Sequence, residues 1–435
     1  LYSQKRGFYC DKGRGRIVIT DNFNLRSKAY WKKMGWGLLL GFIGGISALI
    51  FVILMNLGQS FFVPHITQNW TPFSGPWWIV LLMTGVGFII GLIHRYTPAR
   101  EMDVFGSFDK GYLDPKPMPS SVLASLLSVI GGFSLGPEVS TGMLAGGLSS
   151  WISKKRNLDP DISKTNYLSS VSGAWSGLFT SPLAMLLILL ETKHRQSVLY
   201  YGTLLIAGLA AVIGFSIFYS AQGFNYSSLL GLLSPPEYHL ELWHLGASIV
   251  LGIVAVPIAL LFVVFTKIFD RLVKPLDTKP VIRSTVGGLL LGLLVFALPV
   301  ILGLGTTSMY LVTQQAAEIG AVLLLIFAIA KMAALTGALR FGFIGGPIFP
   351  LLFTGSCMGA LIHLIFPVVP LGLALGCMIV AVPAAVVPIP LALAAIGIII
   401  IGVSPQDALP VIISALVAFS TTRGFILKGE EVESL

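Results

Sequence analysis

The sequence predicts an all-α polytopic membrane protein whose two halves repeat a pattern of interrupted helices. Three observations carry that prediction. The composition is apolar and poor in charge, several apolar runs are long enough to span a bilayer, and Gly/Pro breaks recur at matching places in both halves. Of 435 residues, 55% are hydrophobic and 11% charged, with a mean hydropathy of +0.86. A soluble domain carries roughly 25% charged residues, so a soluble enzyme is excluded.

Taken from the N-terminus, residues 1–34 form a basic segment. Lys5, Arg6, Lys12, Arg14, Arg16, Arg26, Lys28, Lys32 and Lys33 stand against Asp11 and Asp21. Such a segment before a membrane span reads as a cytoplasmic anchor rather than a nucleic-acid arm. The sequence begins with Leu1 rather than Met, so residues are expected before it. Spans of about 20 residues are expected at 35–56, 77–95, 200–217, 244–266, 284–303 and 319–339. Segments 94–117, 153–164, 193–195 and 267–283 carry Lys or Arg and are expected inside. Segment 57–76 has no Asp, Glu, Lys or Arg, and 218–243 has only Glu237 and Glu241; these are expected outside. Both N-x-S/T matches, at Asn69 and Asn225, fall in the outside group.

That sidedness leaves two segments, 118–153 and 165–193, that start and end inside yet are short for two spans each. Their breaks fall at Gly131–Pro137 and near Thr180-Ser181-Pro182; the C-terminal half breaks at Gly345-Gly346-Pro347 and Pro388-Ile389-Pro390. Irregular backbone at membrane depth is tolerated only where protein or a water-filled cavity surrounds it. "SPLAMLLILL" (181–190) echoes "IPLALAAIGI" (389–398), roughly 210 positions on, and "WGLLLGFI" (36–43) echoes "GGLLLGLL" (287–294). Corresponding broken helices point to a transporter built from repeats, with its site where half-helix ends meet. The expected organisation is a cytoplasmic segment 1–34 and a first membrane repeat 35–217. Inter-repeat loops with a connecting helix (218–283), a second repeat 284–422 and a short cytoplasmic tail 423–435 follow.

The stretch "GGFSLGPEVSTG" (131–142) offers two candidate working residues. Gly132-Phe133-Ser134-Leu135-Gly136 matches G-x-S-x-G, but a nucleophile elbow needs a preceding strand and a nearby base. An apolar helical run precedes it here. Ser176-Gly177 does not meet the spacing of an intramembrane serine protease, and no H-E-x-x-H is present. The three cysteines, Cys10, Cys357 and Cys377, imply neither a disulfide framework nor a metal site, and no cofactor is expected. Gly136-Pro137-Glu138 instead reads as a helix start, with Pro in the first turn. The free amides and positive dipole end of that helix suit either a dissolved anion or the Glu138 carboxylate. Glu138 is therefore read as a gate, against the plainer reading that it caps its own helix. In Gly345–Pro350 the prolines lack N–H, so the available donors belong to Ile348 and Phe349. Lys331, with Arg340 further on, either raises the local anion concentration or snorkels to an interface.

These residues resemble the CLC family of chloride channels and chloride/proton exchangers, from about residue 35 to 425. "KMAALTGALRFGFIGGPIFPLLFTG" (331–355) is similar to that family's Lys-led helix and G-G-x-x-x-P segment. "SLGPEVSTG" is similar to its glutamate motif, and "FTSPLAMLLILLE" (179–191) to the helix after it. The resemblance implies an inverted repeat of tilted and broken transmembrane helices and a homodimer with an anion pathway in each subunit. It implies Glu138 as gating and outer proton residue. Backbone amides around Glu138 (Gly136, Val139) and around Gly346, Ile348 and Phe349 are implied to coordinate chloride. Pro137, Val139 and Ser140 replace the motif's usual residues, Thr97 falls near the family's anion-binding serine, and no tyrosine follows Tyr310. Thr192 stands where some exchangers place an inner glutamate, which leaves Glu191 and Thr192 as the inner proton route. The chain reads as a divergent, short, prokaryotic-type member in the plasma (inner) membrane with cytoplasmic termini. The expected function is chloride/proton exchange. A passive chloride channel, a membrane enzyme and a non-transporting scaffold are the alternatives.

Overall fold

The computed structural model describes residues 9–10, 17–18, 27–67, 69–192, 200–223, 233, 238–404 and 406–433. Most of the basic N-terminal segment, the Lys193–Arg195 loop, Asn225 and Glu237 lie outside the described residues. Apart from a two-residue antiparallel pair, Tyr9–Cys10 with Ile17–Val18, the secondary structure described is helical.

The first half contains α1 (Lys28–Ser60), α2 (Val63–Thr67), α3 (Trp78–Tyr96), α4 (Ser107–Lys110), α5 (Met118–Ile130), α6 (Glu138–Lys155), α7 (Pro160–Leu178), α8 (Pro182–Thr192) and α9 (Tyr200–Ala221). The second contains α10 (Leu242–Val273), α11 (Pro280–Ala297), α12 (Thr306–Gln314), α13 (Ala316–Arg340), α14 (Ile348–Ile365), α15 (Leu371–Val386), α16 (Pro390–Ile401) and α17 (Ala408–Glu433). Among the described residues, seven helices are long and apolar enough to cross a membrane. The remaining apolar helices, α5, α8, α15, α16 and the first part of α17, are shorter, as expected of a chain whose spans are broken.

All four breaks fall where Gly or Pro interrupts the pattern. The breaks before α6 and α14 end 210 positions apart, at Glu138 and Ile348, and those before α8 and α16 end 208 apart, at Pro182 and Pro390. In this order α11 corresponds to α3, so the resemblance of "WGLLLGFI" to "GGLLLGLL" joins helices that are not counterparts. The span expected at 284–303 is also corrected: α11 starts at Pro280 and stops at Ala297. Pro299 cannot extend the ladder, and Gly303 and Gly305 take left-handed φ of 59° and 93°, so 298–305 turns back into the protein.

Helices that cross closely do so on glycine. A Cβ at Gly87 of α3 would meet the backbone of Ser284, and one at Gly288 of α11 would meet the backbone of Met83. Gly44 of α1 lies against the Ser170 backbone of α7 in the same way. Lipid tails give no hydrophobic drive for helix association, so close packing through small residues supplies the attraction. Leu, Ile and Phe side chains of α1, α3, α10 and α11 stay exposed on the outer surface, among them Leu81, Ile253 and Leu290, a surface suited to lipid.

Candidate functional site

Two broken helices from opposite halves meet here. After α5, Gly132 adopts φ 83°, a left-handed turn open to glycine without strain. After α13, Gly342 does the same at φ 96°. The two loops then pair antiparallel at Gly136 and Gly346. Gly136 N donates to Gly346 O at 2.7 Å and Gly346 N to Gly136 O at 2.8 Å. Rings stack across the same junction, with Phe133 and Phe343 centroids 3.7 Å apart. The loops thereby satisfy each other's backbone groups, as irregular backbone at this depth requires.

From this frame α6 and α14 begin, each with Pro at its N-cap. Glu138, the first residue of α6, is 1% exposed. Its Oε1 accepts from Ile348 N at 2.7 Å, the first amide of α14. Its Oε2 is buried without a hydrogen-bond partner. Glu138 thus sits on the positive end of the other half's helix, a place that suits any anion. A Cβ on Gly136 or Gly346 would collide with this carboxylate, so both glycines are required for the close approach.

Several side chains hold the frame. Trp175 of α7 donates its indole N–H to Glu138 O at 2.7 Å. Ser125 of α5 donates to Ile344 O at 2.8 Å and pairs with Ser140 of α6, while Ser128 accepts from Ile344 N at 3.2 Å. One helix of the first half therefore fixes both backbone groups of Ile344, two residues before Gly346. Ser125→Ala strands a buried carbonyl, which costs about 1–3 kcal/mol. Detergent-solubilised protein with that change is expected to unfold at a lower temperature in a thermal scan.

The other sequence candidates distribute as follows. Val139 is buried beside Glu138, and Phe349 stacks its ring on Phe179 with centroids 6.1 Å apart. Lys331 is fully buried and does not snorkel. Its Nζ donates to Ile301 O at 2.8 Å and Gly303 O at 2.5 Å and lies 5.1 Å from the Phe353 ring centroid. The same loop reaches the first break, through Gly303 N to Gly132 O at 2.8 Å and Ser134 Oγ to Ile301 O at 3.0 Å. Ser134 is thus a structural donor. Arg340 stands apart from Lys331, half-exposed and paired with Asp270 at 3.2 Å. Thr97 is exposed at the end of α3, its hydroxyl bonded to Ile93 O and accepting from Ala99 N. Among the described hydrogen bonds none ties it to the junction.

At the far end of α8, Glu191 Oε1 accepts from Leu391 N at 2.7 Å and Oε2 from Ala392 N at 3.0 Å, the first turn of α16. A first-half carboxylate again occupies a second-half helix start. Thr192 turns back on its own helix, donating to Ile188 O at 2.6 Å. Sequence reasoning missed Trp175, Ser125 and Ser128. Trp175 did leave a signal, a large ring in the otherwise small-residue stretch Ser172–Gly177; the serines left none.

A family profile described as "Voltage gated chloride channel" matches residues 86–423. Curated relatives described as "Putative ion-transport protein YfeO" from Escherichia coli (strain SMS-3-5) and Shigella boydii serotype 18 are 28% identical over 367 residues, covering 78% of this chain and 82% of theirs. Among solved structures, a CLC-type fluoride/proton antiporter superposes with a TM-score of 0.72 at 19% identity, covering 91% of this chain and 96% of that one. A slow cyanobacterial Cl-/H+ antiporter gives 0.73 at 18%, covering 91% and 95%.

Proposed function

The chain belongs to the voltage-gated chloride channel (CLC) family, and on that premise we propose that it exchanges chloride for protons through a pathway gated by Glu138. One observation carries the reading: the Glu138 carboxylate lies on the Ile348 amide, where an incoming anion would take its place. Amides bind an anion more weakly than an ammonium does, which favours passage over retention. In this reading Gly136, Val139, Gly346, Ile348 and Phe349 line the anion position, and Lys331 adds positive potential from behind. Arg340 and Thr97 act nearer the membrane surface. Protons reach the inner side by way of Glu191 or water passing Thr192. The working unit is a homodimer in the plasma membrane with cytoplasmic termini. Its membrane repeats are the two halves, α1–α9 and α10–α17.

The experiment uses purified protein in chloride-loaded liposomes, with valinomycin to collapse the potential. External chloride and external pH are recorded together under an outward chloride gradient. Proton uptake alongside chloride efflux is the expected result. Chloride efflux with a flat pH trace assigns the passive channel, a reading favoured by the engagement of Glu191 with α16 and of Thr192 with its own helix. Absence of anion movement leaves the non-transporting scaffold. Glu191→Ala is expected to suppress proton uptake while chloride efflux persists, and uptake that survives it takes Glu191 out of the proton route.

A further inference from the structure

His94, in the last turn of α3, holds both ring nitrogens against carbonyl oxygens. Nε2 lies 2.7 Å from Gly342 O and Nδ1 lies 3.1 Å from Ala99 O. A carbonyl oxygen only accepts, so each contact needs an N–H on the ring; neutral imidazole has one and imidazolium has two. α3 ends beside the ring, and Gly342 follows the end of α13. The charged groups around this corner are of both signs. Arg95 follows on α3, Arg283 of α11 crowds Gly342, and Arg340 closes α13. On the acidic side, Glu101 interacts with Arg340, while Asp277 and Asp270 pair with Arg283 and Arg340. Arg100 pairs with Asp114 at the loop surface.

Gly342 is where the chain leaves α13 and turns toward Gly346 and Ile348. Its neighbour Phe341 is held by Ser284 of α11 at 3.0 Å, and among the described hydrogen bonds the His94 contact links this turn to α3. We propose that His94 is a positioning residue whose doubly protonated ring clamps the Gly342 turn to α3 and thereby sets the stance of the Ile348 amide. Loss of one ring proton turns a lone pair toward one of the two carbonyls and opens that contact. The pathway then answers to pH at the membrane face where α3 ends, independently of Glu138.

The inference rests on the anion-transport reading, and two measurements separate them. Chloride efflux is recorded against pH in liposomes carrying Glu138→Gln protein, which removes that carboxyl's own titration. Flux is expected to fall about fivefold from pH ~5 to ~8, the weight of one ordinary hydrogen bond. Adding His94→Arg, a permanently charged donor, is expected to hold the acid level throughout. Adding His94→Gln, a neutral side chain with one donor nitrogen and one acceptor oxygen, is expected to hold the alkaline level. Profiles that superimpose on the parent overturn the proposal. Nitrogen-15 NMR of histidine-labelled protein in lipid, assigned by the signal lost in His94→Gln, is expected to show two protonated ring nitrogens at acid pH. A single protonated nitrogen there overturns the proposal whether or not any variant moves chloride. Absent chloride flux with a doubly protonated His94 sinks the transport reading instead.

Discussion

Replacing Glu138 by Gln is expected to end proton movement while leaving chloride movement in place. The amide matches the carboxyl in shape, so its oxygen still accepts from Ile348, but it has no proton to exchange. Its neutrality weakens its hold on the positive end of α14, because a hydrogen bond to a charged group is worth about 1.5–3 kcal/mol against about 1 for a neutral one. A dissolved anion then displaces the side chain more easily. In the liposome assay this appears as sustained chloride efflux with a pH trace no different from protein-free vesicles. Proton uptake that persists in this variant takes Glu138 out of the proton step.

Gly346→Ala is expected to reduce chloride efflux by about 10–100-fold, the range set by losing one hydrogen bond to a charged group. The added methyl would occupy the position now held by the Glu138 carboxylate. That is also the position assigned to the anion, so both occupants are excluded by the same atom. The backbone cannot retreat, because Gly346 is tied to Gly136 by the two bonds of the bridge. Gly85→Ala on α3 is the control, since nothing lies within 4 Å of a Cβ there, and its flux is expected to match the parent. Equal flux from Gly346→Ala and Gly85→Ala would move the anion position away from the bridge.

Much of this architecture is readable from the chain because its signals are local. Apolar length marks α1, α3, α10 and α13, Gly with Pro marks the breaks before α6 and α14, and Pro marks those before α8 and α16. The failures are equally physical. The span placed at 284–303 counted Leu298, Val300 and Ile301 as helix because they are apolar. Val300 and Ile301 are apolar because the short 3-10 turn that carries them, Pro299–Ile301, is buried. Lys331 read equally well as a snorkelling residue, since linear sequence does not reveal that Ile301 and Gly303 turn their carbonyls toward it. At the site, Glu138 and Ile348 were each legible as a carboxylate and a donor beside a break. The bond between them spans 210 positions and follows only from the packing of the halves. Trp175, Ser125 and Ser128 act on backbone groups, and a backbone group has no sequence identity to match.

The bridge between Gly136 and Gly346 also bears on how the protein is made. When the ribosome has delivered α1–α9 to the membrane, the first loop still lacks its pairing partner and Glu138 still lacks the Ile348 amide. Unpaired backbone groups in hydrocarbon carry a penalty of several kcal/mol each. The half-built chain therefore has reason to keep this loop in water or inside the insertion machinery until residues near 350 arrive. Pairing of the loop and its burial become one late event in biosynthesis, and a chain halted before α14 is marked as unfinished by the unpaired groups of this loop.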